Sequence, residues 1–282
     1  STVEQAGSSG GWLPAGTLPK DGIASWPQLA MDASGTLYLL YSISINENRG
    51  LYIMTSNNSG ETWSQPNRVF DAVSAGWGLV DHPTLAVTPD GVLHAAWVKG
   101  SPDGSASPQG IYYASSTDGG LTWSDSLKVA EPGHDWPRLV SFNRQLQLFY
   151  SKLADHGVWQ RWVTYNGNTE DPQGWGTPVN LPGWSNISAP FGVAVSGDSG
   201  SAEDPAGALH LVGVDIPTGS LRYSAWEGER WSQTETYDPQ YPVMGVIYQT
   251  AAQTDFAVSA ATRLAGGRLG IVWKLNSINQ EA

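Results

Sequence analysis

The chain has 282 residues and a formal charge of −12, from 14 Lys and Arg against 26 Asp and Glu, so nucleic acid and anionic membrane surfaces are poor partners for it. Gly (33) and Pro (18) make it turn-rich, yet 40% of the residues are apolar, which is enough to build a core rather than a disordered chain. With no Cys, disulfides, thiolate catalysis and Cys-ligated zinc are excluded.

No apolar run approaches the roughly 20 residues needed to insert across a bilayer. The N-terminal stretch STVEQAGSSGG has neither a basic start nor an apolar segment, so no signal peptide is expected within this chain. An acidic, Lys-poor, Trp-rich composition points to an extracellular or cell-surface, secreted protein of bacterial type.

In chain order, residues 2–6 and 13–18 read as two strands separated by a Ser-Gly turn and Trp12. A pattern then begins that recurs along the chain. Trp26-Pro27-Gln28-Leu29-Ala30 is followed by a turn at Asp32 to Gly35 and a second strand at Leu37 to Leu40. His82-Pro83-Thr84-Leu85-Ala86 and Leu93 to Ala96 repeat it around Pro89-Asp90-Gly91, and Trp136-Pro137-Arg138-Leu139-Val140 and Leu146 to Tyr150 repeat it again. Weaker copies start at Ala189-Pro190-Phe191 and near Asp255. Asp-Gly and Ser-Gly are hairpin-turn chemistry. Third strands follow at Leu51 to Met54, Ile111 to Ala114, Val158 to Trp162 and Leu221 to Ser224, each with a Trp soon after: Trp63, Trp123, Trp175 and Trp231.

A four-stranded unit every 50-odd residues predicts an all-β chain forming a single β-propeller. The fifth unit runs out after its second strand, and residues 2–6 and 13–18 supply the two strands it lacks. The expected fold is therefore one domain, 1–282, of five blades of four antiparallel strands. The blades lie at about 26–72, 81–131, 135–183, 188–238, and 255–282 joined by 1–22. Six blades, with an irregular one between Tyr237 and Thr254, is the alternative.

Two third-to-fourth strand turns share the form Ser-x-Asp/Asn-x-Gly-x-Thr-Trp: Ser56, Asn58, Gly60, Thr62 and Trp63, then Ser116, Asp118, Gly120, Thr122 and Trp123. On these residues the chain resembles the sialidase-like Asp-box (BNR-repeat) β-propeller family. Asp or Asn closes such a turn onto backbone N–H groups, Gly takes positive φ, and Trp packs between blades. The stretch from Asn168 to Trp175 keeps the Trp, with Pro172 in the Gly place, while Ser224 to Trp231 keeps Ser, Gly228 and Trp. The resemblance implies that the boxes are structural clips on the face away from the ligand site.

The opposite face then carries the candidate site. It gathers Trp26, Trp77, Trp136 and Trp184 with His82, Arg138, Arg49 and Tyr241 as ligand-binding residues. Aromatic faces stack on the C–H faces of sugars while polar groups take the hydroxyls, so the expected partner is a glycan or glycoconjugate. The segment from Gln240 to Thr254 is longer than its equivalents and reads as a functional loop or an extra strand over the channel. The family resemblance also implies what sialidase chemistry would require, an arginine triad that includes an Arg-Ile-Pro motif. The matching positions read Ser25-Trp26-Pro27, Asp81-His82-Pro83, Asp135-Trp136-Pro137 and Ser188-Ala189-Pro190, without Arg.

The leading expectation is thus glycan recognition without the sialidase catalytic motif. Two alternatives stand beside it. In a glycoside hydrolase, Asp81 and Asp135 would be the catalytic pair, since they share one register on adjacent blades. In a protein-interaction scaffold, the acidic face would grip a protein partner or neighbouring domains of a longer chain. Repeated Asp-x-Pro also has a plain structural account, Asp closing the turn into each strand. No cofactor is expected, and no metal, because the five His lack ligand spacing.

Overall fold

The computed structural model describes residues 23–101, 108–164, 174–195, 208–218, 220–226, 230–237, 258–264 and 268–273. Their strands are β1 (Ser25–Met31), β2 (Leu37–Ile43), β3 (Gly50–Ser56), β4 (Asn67–Asp71), β5 (Leu79–Val87), β6 (Leu93–Gly100), β7 (Ile111–Ser116), β8 (Leu127–Ala130) and β9 (His134–Phe142). They continue with β10 (Gln145–Lys152), β11 (Gly157–Thr164), β12 (Val179–Asn180), β13 (Ile187–Val195), β14 (Leu209–Asp215), β15 (Leu221–Trp226), β16 (Glu235–Tyr237), β17 (Val258–Leu264) and β18 (Arg268–Trp273). They pair as four antiparallel sheets of four consecutive strands, and β17 pairs with β18. The first strands pack in sequence, β1 on β5, β5 on β9, β9 on β13 and β13 on β17, as propeller blades do around a channel.

Local chemistry sets these hairpins. In the β1–β2 turn, Asp32 Oδ1 accepts from the backbone N–H groups of Ser34 and Thr36, each at 2.9 Å, and Gly35 takes φ +87°. In the β9–β10 turn, Asn143 and Arg144 both have positive φ, as a two-residue type I′ turn requires.

Three apolar clusters fill the gaps between successive sheets. Leu40, Ile53, Leu93 and Trp97 are in the first, Ala96, Tyr113, Leu146 and Leu148 in the second, and Phe149, Trp184, Phe191 and Leu209 in the third. The Trp after each third strand belongs to this packing. Trp123, Trp175 and Trp231 sit in the first, second and third clusters, while Trp63 packs on Tyr41 and Met54.

Both boxes are closed by their own side chains. Ser56 Oγ donates to Asn58 Oδ1 (2.9 Å) and accepts from Gly60 N (2.9 Å), Thr62 N donates to Asn58 Oδ1 (3.0 Å), and Trp63 Nε1 donates to the Gly60 carbonyl (3.1 Å). Ser116, Asp118, Gly120, Thr122 and Trp123 repeat the pattern. Hydrogen bonds from Thr122 hold the Asp118 carboxyl down to about 2.

The expected strands at 2–6 and 13–18, Trp12, and with them the closure of a fifth blade lie outside the described residues, as do Pro172, Gly228, Tyr241, Asp255 and the Gln240–Thr254 segment.

Candidate functional site

The first strands of all four complete sheets carry a bulge near the same end. Ser25 pairs with Ser42 and Gln28 with Leu40, Asp81 with Val98 and Thr84 with Ala96, and Asp135 with Ser151 and Arg138 with Phe149, one extra residue each time. The register also shifts between Ser188 and Gly192. At the bulge, the residue before Pro has positive φ in three sheets: Trp26 (53°), His82 (45°) and Trp136 (54°). Such a conformation is unusual for a bulky residue, and a following Pro narrows its choices further. Its effect is to re-aim the side chain.

The three rings meet. His82 lies on Trp136 with centroids 3.5 Å apart and planes at 18°. Trp26 stands edge-on to both, at 5.0 Å from His82 and 5.1 Å from Trp136. Because each first strand runs parallel to the third strand of its sheet, and the boxes follow third strands, this cluster sits at the channel end away from the boxes.

The carboxylates join through the imidazole. His82 Nδ1 donates to Asp135 Oδ1 at 2.6 Å, and Nε2 lies 3.7 Å from Asp81 Oδ2. Asp135 is 7% exposed, and its Oδ1 also accepts from Trp136 N at 2.6 Å. Asp81 Oδ1 accepts from Ser44 Oγ at 3.0 Å. Arg138 follows inward, with Nε donating to the Phe191 carbonyl (3.2 Å) and Nη1 to that of Pro137 (3.1 Å), so it links β9 to β13. Burial lowers its pKa to about 10, against an opposing pull from the charge of Asp135. It lines a channel cavity of about 300 Å³ with Gln28, Thr84 and Gly192.

Trp26, His82, Trp136, Asp81, Asp135 and Arg138 are therefore brought together, but the aromatic surface differs from expectation. Trp136 does not offer both faces, since His82 covers one; Trp26 is 36% exposed. Trp77 and Trp184 are buried in the inter-sheet clusters, at 7% and 1% exposure, and are corrected to packing residues. The connection after β4 folds back, placing Trp77 between Phe70 and Tyr112, and Trp184 donates to Ser224 Oγ. Arg49 donates to the carbonyls of Trp77 and Asn46 rather than joining the cluster. Sequence reasoning missed Ser44, whose only signal is its place at the end of a second strand. Among the described residues, no group of three His, Asp or Glu side chains is arranged to hold a metal ion, and no helix is long and apolar enough to cross a membrane.

Residues 13–130 match the model of a BNR repeat-containing family member. None of the curated proteins matches the chain. Among solved structures, it is similar to an alpha-L-arabinanase of Penicillium chrysogenum complexed with arabinobiose, at 19% identity and TM-score 0.61, over 91% of this chain and 77% of that one. It is similar to the NanB sialidase of Streptococcus pneumoniae at 12% identity and TM-score 0.58, over 97% and 58%. It is also similar to the Hadza microbial sialidase Hz136, at 19% identity and TM-score 0.51, over 74% and 46%. The chain thus spans about half the length of those two sialidases. At these identities the likenesses establish the fold, an all-β propeller, and the family match agrees with the two boxes.

Proposed function

We propose that this BNR-repeat β-propeller recognises a neutral glycan at the channel mouth away from its boxes. The observation that carries the reading is the convergence of Trp26, His82 and Trp136 from equivalent strained bulges of three consecutive sheets. Each such residue costs on the order of 1–3 kcal/mol of backbone strain, which persists only where the surroundings over-determine it. Packing accounts for one such residue more easily than for three aimed at one point. Exposed indole takes the C–H surface of a sugar, while Asp81 and Asp135 accept hydrogen bonds from hydroxyls.

The similar structures, an arabinanase complexed with arabinobiose and two sialidases, favour a sugar over other ligands. The missing arginines at the Arg-Ile-Pro positions favour a neutral one. On a glycan array bearing neutral and sialylated structures, the protein is expected to bind neutral glycans. Trp136→Ala should weaken that binding at least about tenfold, equivalent to about 1.4 kcal/mol. An array with no hits, together with one stoichiometric protein captured from the native host, would turn the reading toward a protein-interaction module.

A second reading, glycoside hydrolysis, has its own support: Asp81 and Asp135 flank the two nitrogens of one imidazole. One carboxyl would protonate the leaving oxygen, and the other would activate water or attack carbon. Chromogenic neutral glycosides assayed with wild type and Asp135→Asn decide it. Turnover that Asp135→Asn abolishes supports hydrolysis, and turnover that it leaves unchanged removes Asp135 as catalyst.

A further inference from the structure

On the box side, each of the three gaps between the four complete sheets takes one residue from a second strand, one from a third strand, and the Trp that follows the third strand of the next sheet. Between the second and third sheets these are His94, Tyr113 and Trp175. The first two rings lie 6.0 Å apart and nearly parallel, and Trp175 stands edge-on to Tyr113 at 5.4 Å. Between the third and fourth sheets the same places hold Gln147, Gln160 and Trp231. Two amides fill less space than an imidazole and a phenol, and a cavity of about 220 Å³ remains. Gln145, Gln147, Gln160, Trp162 and Trp226 are in its walls.

Two features set this cavity apart from a packing void. Aligned with the intact boxes, Ser224 to Trp231 places Trp226 where Asn58 and Asp118 close their turns, so the clip residue has become an indole in the cavity wall. The amides also form a one-way relay. Trp231 Nε1 has no acceptor capacity, so its bond to Gln160 Oε1 (3.3 Å) fixes how that amide faces. Gln160 Nε2 then donates to Gln147 Oε1 (2.9 Å), and Gln147 Nε2 to Gln145 Oε1 (2.7 Å). The relay ends on the Gln145 amide nitrogen, which has no further partner among the described residues.

We propose that this cavity binds a single neutral polyhydroxylated ring, at a site separate from the channel mouth and independent of what binds there. No charged side chain lines it. Its volume lies below the roughly 300 Å³ at which pockets for drug-sized ligands begin, which suits one ring rather than a chain of them. Amides both donate and accept, as hydroxyls demand, and the two indoles offer surface to ring C–H groups.

The test uses the full 282-residue chain carrying Trp136→Ala, so that loss of the channel-mouth site and loss of this one are told apart. Saturation-transfer NMR titrations with L-arabinose, D-galactose and D-glucose should show saturable binding of at least one sugar. Gln145→Leu and Trp226→Leu, introduced separately, should each weaken it at least tenfold. In the otherwise wild-type chain, Gln145→Leu should leave glycan binding at the channel mouth unchanged. If Trp226→Leu does not fold, Gln145→Leu, half-buried beside the hairpin turn, decides alone. The proposal is overturned if none of the three sugars binds, if Gln145→Leu binds as tightly as its parent, or if cyclohexanol binds as well as the best sugar.

Discussion

His94 and His210 hold equivalent places in the second and fourth sheets, each with Nδ1 near the hydroxyl of a third-strand Tyr, at 2.6 Å from Tyr113 and 2.8 Å from Tyr223. Burial pushes the His94 imidazole down to about 4, against an opposing pull from Asp90, and lowers His210 in the same direction. Between about pH 6.5 and 4 the unfolded chain therefore takes up a proton at residue 94 that the folded protein refuses. Stability falls as pH drops through that window, by about 3 kcal/mol for His94 alone. The third sheet has Gln147 at this place, so His94→Gln is a substitution that the fold already tolerates elsewhere. Urea denaturation should find His94→Gln less stable than wild type by about 1–2 kcal/mol at pH 7.5. Because wild type loses about 3 kcal/mol that His94→Gln does not, the two curves should cross before pH 4, and parallel curves would mean that burial of His94 is not the acid-sensitive element. The candidate site was legible at this scale where one register could be read across repeats, as for Trp26, Asp81, His82, Asp135 and Trp136. It was not legible where contact joined residues that no repeat relates, as when His82 stacks on Trp136 and hides a face that the sequence counted as open.

Among the elements, the two intact boxes were the most legible because their hydrogen bonds close within eight residues, from Ser56 to Trp63 and from Ser116 to Trp123. Gly120 and Gly91 separate turn strain from packing. Both have positive φ, +90° and +82°. A Cβ on Gly91 would meet nothing within 4 Å, whereas one on Gly120 would sit 3.3 Å from Leu93 Cδ1 and 3.4 Å from Ile53 Cγ2. Gly91→Ala should thus cost about 1 kcal/mol of backbone strain, and Gly120→Ala about 2–3 kcal/mol, because the box also plugs the gap between the first two sheets. Equal losses in chemical denaturation would show that the box touches its neighbour only loosely. The connections were less legible than the boxes. Trp77 and Trp184 were assigned to an open face by position in the chain, but apolar burial draws both under the sheets, where Trp77 also takes Lys99 over its ring at 5.0 Å. The amide relay was invisible for a related reason. Its meaning lies in what Gln147 and Gln160 replace, and that shows only once the equivalent His and Tyr are seen filling the neighbouring gap.

At the scale of the whole molecule, the described residues form four sheets of four strands each, while β17 and β18 pair as two and β17 packs on β13. The repeat arithmetic assigns residues 2–6 and 13–18 to complete that last sheet, and the family match begins at residue 13, ahead of β1. If the ends of the chain do join in one blade, the N-terminal residues act as a clasp whose loss exposes a sheet edge and unties the first sheet from the last. Removing residues 1–22 should then lower Tm by about 10 °C or more, since two strands represent several kcal/mol and each is worth about 2–4 °C in a domain of this size. The truncated chain should also associate through the exposed edge, visible as early elution in size-exclusion chromatography. The intact-box turns, which depend only on residues near them, should still form. A truncated chain that melts where the full chain does, and elutes as a monomer, would show that the ring is not closed by its N-terminus.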